Sequence, residues 1–174
     1  MNLIEKYIRS IPDFPKKGII YRDITTLLKD ANGFHIAVNA YQEILKKYDF
    51  DLVLGLESRG FIFGAPIAYN LNKAFVPVRK KGKLPSETIC EEYELEYGTA
   101  QIEMHTDAIK KGQRVVIVDD LIATGGTVEA TTKLVEKLGG VVVACIFLIE
   151  LEGLGGREKL KRYPVESIIR YKEF

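Results

Sequence analysis

The sequence predicts an α/β protein built on one central, mostly parallel β-sheet flanked by helices. Three observations carry this reading. Leu52–Leu56, Val115–Val118 and Val141–Ile149 are apolar runs with no polar alternation, as in strands covered on both faces. The first two lead through short turns, Glu57-Ser58-Arg59-Gly60 and Ala123-Thr124-Gly125-Gly126-Thr127, into helical patterns. Strand, turn and helix in that repeated order make a parallel sheet. With 174 residues the chain fits a single domain of roughly 100–200 residues.

The elements follow in order. Asn2 with Glu5 resembles a capping box, and Leu3, Ile4, Tyr7, Ile8 and Ile11 recur at helical spacing until Pro12, so a helix is expected there. Asp13–Gly18 is a loop. Phe34, Val38, Tyr41, Ile44, Leu45 and Tyr48 mark a second amphipathic helix. Leu52–Leu56 is a strand followed by a helix over 61–71, and Phe75–Val78 is a short strand. Arg114–Asp119 is a strand whose following helix reaches about Leu138. Val141–Ile149 and Val165–Tyr171 complete the sheet. One stretch departs from the pattern. Tyr93, Leu95 and Tyr97 alternate with glutamates, and Ala100, Ile102 and Met104 alternate with Gln101, Glu103 and His105, around Gly98-Thr99. This reads as a two-stranded excursion, polar on one face, of the kind that serves as a lid or binding loop.

Composition narrows the function. Lys plus Arg (25) nearly balance Asp plus Glu (24), for a net charge of +1, so no strong field exists for a nucleic-acid partner. Val141–Ile149 falls far short of the ~20 residues that span a bilayer, and the start lacks a signal-like apolar stretch. No membrane partner is expected, and the cytoplasm is the expected location. Cys90 and Cys145 form no CxxC and no Cys/His cluster, which removes a zinc site and a disulfide scaffold.

The strongest motif is Val115-Val116-Ile117-Val118-Asp119-Asp120-Leu121-Ile122-Ala123-Thr124-Gly125-Gly126-Thr127. It sets two carboxylates and a small-residue turn at the carboxyl end of a buried strand, where open α/β sheets bind ligands. Backbone N–H groups of the turn, at a helix N-terminus, suit a phosphate. Asp119 and Asp120 suit vicinal hydroxyls. Phosphate beside a diol is ribose 5-phosphate. The string is neither a P-loop nor a GxGxxG fingerprint. Ser58 is no hydrolase nucleophile either, because that elbow needs glycine where Leu56 stands.

The string resembles the phosphoribosyl-diphosphate signature of type I phosphoribosyltransferases. Phe14–Ile24, Gly55–Phe61 and Tyr93–Gly98 are similar to the adenine phosphoribosyltransferases in particular, as are Gly112-Gln113-Arg114 and Gly156–Leu160. Lys17, Tyr21 and Glu57 depart from that family, which usually has Pro, Phe and Asp there. The resemblance implies the type I fold across 1–174, with a small hood and N-terminal helix over about 1–34 and a flexible lid over about 80–106. It implies transfer of 5-phosphoribosyl from phosphoribosyl diphosphate to adenine, giving AMP and diphosphate. Mg2+ is then expected mainly on substrate oxygens and water, with no protein ligands assigned.

The roles implied are these. Asp119, Asp120 and Ala123 to Thr127 hold ribose 5-phosphate. Ser58 and Arg59, with Arg79 and Lys83 from the basic run Arg79–Lys83, hold diphosphate. Ile20, Tyr21, Arg22 and Leu121 meet adenine. From the residues themselves, Glu96 is expected to handle the base's proton, because of the three glutamates Glu92, Glu94 and Glu96 it alone adjoins the Tyr97-Gly98 turn. Relatives that use 6-oxopurines carry Asp where Ala123 stands, so adenine is favoured over hypoxanthine. In the family a group such as the basic run commonly reaches the neighbouring subunit's site, which implies a homodimer. A non-catalytic regulator that senses phosphoribosyl diphosphate is the alternative. Regulators of that type carry an added DNA-binding domain, for which this chain has no room, and the Arg59 turn and Glu96 favour an enzyme.

Overall fold

The computed structural model describes residues 3–95 and 98–172. A small antiparallel sheet comes first, β1 (Arg9–Pro12) with β2 (Ile20–Asp23). Helices α1 (Thr25–Leu28) and α2 (Ala31–Leu45) follow, the second capped by the Asp30 carboxylate, which accepts the Gly33 N–H at 2.8 Å. The main body is β3 (Leu52–Leu56), α3 (Arg59–Asn70), β4 (Ala74–Lys80), β5 (Thr88–Glu94), β6 (Thr99–His105), β7 (Arg114–Ile122), α4 (Gly126–Lys137), β8 (Val141–Leu151), α5 (Gly156–Lys159) and β9 (Val165–Tyr171).

Seven strands form one sheet in the order β5-β6-β4-β3-β7-β8-β9. The pairs from β4 through β9 are parallel. The excursion β5–β6 is antiparallel and joins the sheet through β6 beside β4. Strand alternation divides the core. Val53, Val116 and Val118 pack with Tyr41, Phe63 and Ile67 of α2 and α3. Leu54, Val115 and Ile117 pack with Val128, Leu134 and Val135 of α4 on the other face. Burial on both faces is why these strands carry no polar residue until their ends. No helix among the described residues is long and apolar enough to cross a membrane.

Three differences from the sequence reading have physical causes. The expected N-terminal helix is only a 3-10 turn, Glu5–Tyr7, and the chain is extended from Ile8. So short a segment ending at Pro12 is marginal as a helix, whereas pairing with β2 satisfies its backbone. Arg9 also reaches the buried Asp23 carboxylate, with Nε at 3.0 Å and Nη2 at 2.5 Å. Secondly, β7 runs through the acidic pair to Ile122 rather than ending at Asp119. Finally, Glu103 lies on the polar side of β6 yet is only 3% exposed.

Candidate active site

Two strand ends meet at the centre of the sheet. Beyond β3, Glu57 and Ser58 form a tight turn into α3, and the Glu57–Ser58 peptide is cis. Beyond β7, residues 123–125 turn into α4, with Gly125 at φ +77° as the N-cap. That left-handed conformation favours glycine. It leaves the first N–H groups of α4 facing outward, with the positive end of the helix behind them.

A cavity of about 290 Å³ opens between these ends, lined by every residue from Asp119 to Thr127 together with Arg59, Lys80 and Tyr93. An adjoining hollow of about 330 Å³ is lined by Glu57, Ser58, Arg59, Lys80, Asp119 and Asp120. The turns read from sequence as separate motifs therefore share one wall.

The acidic pair is held firmly. Tyr41, fully buried on α2, donates its hydroxyl to the Asp119 carbonyl at 2.7 Å. The Asp120 N–H donates to Asp119 Oδ1 at 2.9 Å, and Arg59 Nε pairs with Asp120 Oδ2 at 2.7 Å. Burial, then the neighbouring Asp120 charge, pushes the Asp119 carboxyl well above its usual range. Burial also raises Asp120, with the Arg59 charge opposing it. These are carboxylates short of hydrogen-bond donors, as a site for hydroxyl groups requires.

Arg59 has a second partner. Its Nη1 donates to Tyr21 Oη at 3.0 Å, linking the N-terminal hairpin to the cavity. Ile20 and Arg22 lie on the same strand, β2, outside the main sheet. The Arg22 guanidinium stacks on Tyr171, 3.8 Å from the ring centre, and donates to Ser10 Oγ.

The basic run divides. Lys80 lines both hollows, whereas Arg79 and Lys83 line neither. Arg79 instead pairs with Glu57 at 3.1 Å, and the Lys80 N–H donates to the same carboxylate at 2.7 Å. The Arg79 hydrogen bond chiefly holds Glu57 below the usual carboxylate range. Lys80 was not singled out in the sequence because its direction depends on where β4 ends. The strand runs two residues past Val78, so the pleat turns Val78 and Lys80 to one face and Arg79 to the other.

The excursion lies over the phosphate-type turn. Tyr93 and Glu94 approach Gly126 so closely that a Cβ there would meet both at 3.4 Å, and Lys137 of α4 pairs with Glu91 of β5. Glu96 lies outside the described residues. The cavity lining offers carboxylate and backbone oxygen but no imidazole or thiol. Among the described residues no group of three or more His, Cys, Asp or Glu is gathered for a metal.

Comparison with known proteins agrees with this geometry. The family model "Phosphoribosyl transferase domain" matches residues 24–172. An adenine phosphoribosyltransferase of Lachnoclostridium phytofermentans is 65% identical, covering 98% of each chain. The crystal structure of adenine phosphoribosyltransferase from Thermoanaerobacter pseudethanolicus superposes with a TM-score of 0.93 at 57% identity, over 97% of this chain and 98% of that one. The Saccharomyces cerevisiae enzyme, crystallised with an imino-altritol bisphosphate and adenine, gives 0.90 at 39% identity, over 95% and 96%. With its fold, its cavity and these relatives in agreement, this chain belongs to the adenine phosphoribosyltransferases of the phosphoribosyltransferase family.

Proposed function

We propose that this protein transfers the 5-phosphoribosyl group of phosphoribosyl diphosphate to adenine, releasing AMP and diphosphate. The observation that carries the reading is the shared wall of one cavity. An acidic pair for a diol stands one turn from a helix N-terminus for a phosphate, with Arg59 alongside.

The ribose 5-phosphate sits with its phosphate on the N–H groups of Thr124 to Thr127 and its hydroxyls on Asp119 and Asp120. Ala123 leaves room beside Leu121 for the base. The diphosphate lies towards Ser58, Arg59 and Lys80, with Arg79 and Lys83 supporting that region. As the C1–diphosphate bond breaks, its electron pair leaves with diphosphate and positive charge builds on the ribose ring. Fixed carboxylates near that ring and fixed cations near the leaving group stabilise both developing charges without reorganising. N9 of adenine forms the new bond to C1. Its proton passes to Glu96, the carboxylate assigned from sequence. Adenine lies under the hairpin, against Ile20, Tyr21 and Arg22.

The oxygen donors of the lining, with no imidazole or thiol among them, suit Mg2+, which keeps several waters and binds through phosphates and one or two carboxylates. It would be held mainly by substrate oxygens and water, with the ribose hydroxyls fixed by Asp119 and Asp120 beside it, and when bound it supplies Lewis-acid stabilisation of the departing diphosphate. The protein works as a homodimer. Ile62 and Tyr69, seven residues apart on α3, are both exposed, Tyr69 by 87%, and an apolar stripe of that kind on one helix face supports a covered surface. The unbridged Cys90 and Cys145 suit a reducing cytoplasm.

The test is AMP formation from adenine and phosphoribosyl diphosphate, followed spectrophotometrically, with hypoxanthine as competitor. Adenine is expected to win by about four decades in kcat/KM, as buried hydrogen-bond mismatches allow. Comparable rates for the two bases overturn the base assignment, and no AMP overturns the reaction.

A further inference from the structure

The basic run Arg79–Lys83 is fixed by two carboxylates, one at each end. Glu57 holds the beginning, as described above. Glu103 of β6 holds the other end. Its Oε1 accepts the N–H groups of Lys83 and Leu84, each at 2.9 Å. Its Oε2 lies 3.4 Å from Thr88 Oγ1 and 4.0 Å from Cys90 Sγ. The turn between Lys81 and Lys83 passes through Gly82 at φ +84°, which brings successive N–H groups round the carboxylate.

Glu103 is 3% exposed, and among the described residues no cation pairs with it. A carboxylate buried without a cation is strongly destabilising unless N–H donors replace its water. Here the turn supplies them. Burial pushes this carboxyl up, but the N–H groups of Leu84, Gly82 and Lys83 outweigh it and hold the group below its usual range. The anion and the turn therefore depend on each other. The turn gives the charge its hydrogen bonds, and the charge gives the turn its shape.

That shape matters because Lys80 and Lys83 bracket the turn. Arg79 and Lys80 pair across the ladder with Glu103 and Ile102. Lys80 and Ile102 both face the cavity, and Arg79 and Glu103 stand on the opposite side. Three lysines, Lys80, Lys81 and Lys83, crowd one short turn, and their mutual repulsion favours opening it. A fixed negative charge at its centre opposes that.

We infer that Glu103 is a positioning residue for diphosphate: it holds the Lys80–Leu84 turn in the shape that keeps Lys80 against the leaving group's hollow. The inference rests on the reading of this basic run as part of the diphosphate subsite.

Binding of phosphoribosyl diphosphate, diphosphate and AMP to the full-length protein, by calorimetry, tests it. Glu103→Ala should weaken diphosphate and phosphoribosyl diphosphate roughly tenfold, the order of one lost charge-assisted hydrogen bond. AMP, which lacks the diphosphate, should bind within twofold of wild type. Glu103→Gln keeps an accepting oxygen and should fall between the two. Equal weakening of AMP and diphosphate means a general structural role and overturns the inference. Unchanged diphosphate binding in both variants does the same, provided Lys80→Ala weakens it. If Lys80→Ala and Lys83→Ala both bind diphosphate like wild type, it is the subsite reading that fails.

Discussion

Gly125 and Gly156 touch backbone to backbone behind the phosphate-type turn. A Cβ on Gly125 would stand 2.7 Å from the Gly156 carbonyl oxygen, and one on Gly156 only 2.3 Å from the Ala123 carbonyl oxygen. The loop carrying Gly156 is fixed by the next residue. Arg157 donates to both oxygens of the buried Glu150, at 2.8 and 2.5 Å, and to the Val165 carbonyl at 2.6 Å. Gly156→Ala must push the 123–125 turn outward. We expect a loss of about 1–3 kcal/mol of stability, the usual cost of overpacking, and a KM for phosphoribosyl diphosphate raised far more than that for adenine. Thermal denaturation and steady-state kinetics check both.

The acidic pair sets function against stability. The Asp119 carboxyl is raised by burial and by Asp120, so its ionised form is a burden on the unliganded fold at neutral pH. Asp119→Asn keeps the oxygen that accepts the Asp120 N–H and removes the charge. Tm should rise by about 2–4 °C, equivalent to about 1 kcal/mol at this size, while kcat/KM for phosphoribosyl diphosphate falls by about one to two decades. In the wild type, ribose hydroxyls need the ionised form. The acid limb of kcat/KM should therefore lie above the ordinary Asp range, and a pH–rate profile shows it.

Asp23 behaves in the opposite way. Hydrogen bonds, first of all from Arg9, hold it at about 2 against an ordinary 3.8. A depressed folded-state value stabilises above the unfolded value and is lost as pH falls from about 4 towards 2. Arg9 is 57% exposed, so solvent screening keeps the Arg9 contribution to about 1 kcal/mol. Arg9→Ala should lower Tm by a few degrees at pH 7, and the gap from wild type should close below about pH 2. A gap constant from pH 7 to 2 counts against this pair as its origin.

Glu96→Gln should cost about two to four decades in kcat, the common worth of general acid–base catalysis, with little change in phosphoribosyl diphosphate affinity. Glu92 already accepts a hydrogen bond from Gln101 at 3.0 Å, and Glu94 borders a surface hollow beside Glu129 and Lys133. Glu92→Gln and Glu94→Gln should stay near wild type. Equal damage from Glu94→Gln removes the assignment to Glu96.

The parallel body was legible because burial on both faces leaves its strands no polar residues. The Asp119–Thr127 string was legible because a strand end, an acidic pair and a helix start fall on consecutive residues. The N-terminal hairpin was not. Residues 3–11 carry a helical spacing of apolar groups, and only the distant Asp23 and β2 reveal why the chain stays extended. Lys80 was hidden for a related reason. Which cation of a basic run faces inward follows from strand parity, and parity depends on a pairing with β6 that local composition does not encode. The burial of Glu103 depends on the same pairing, because a turn some twenty residues earlier covers it.

One edge of the seven-stranded sheet is β5, a strand whose outer backbone groups offer a ladder to any passing extended chain. Three of its seven residues are glutamates, Glu91, Glu92 and Glu94. A second copy adding its own β5 there would bring carboxylates against carboxylates across the new ladder, where like charges repel. The acidity of this strand thus keeps a catalyst with an open sheet edge from polymerising on itself.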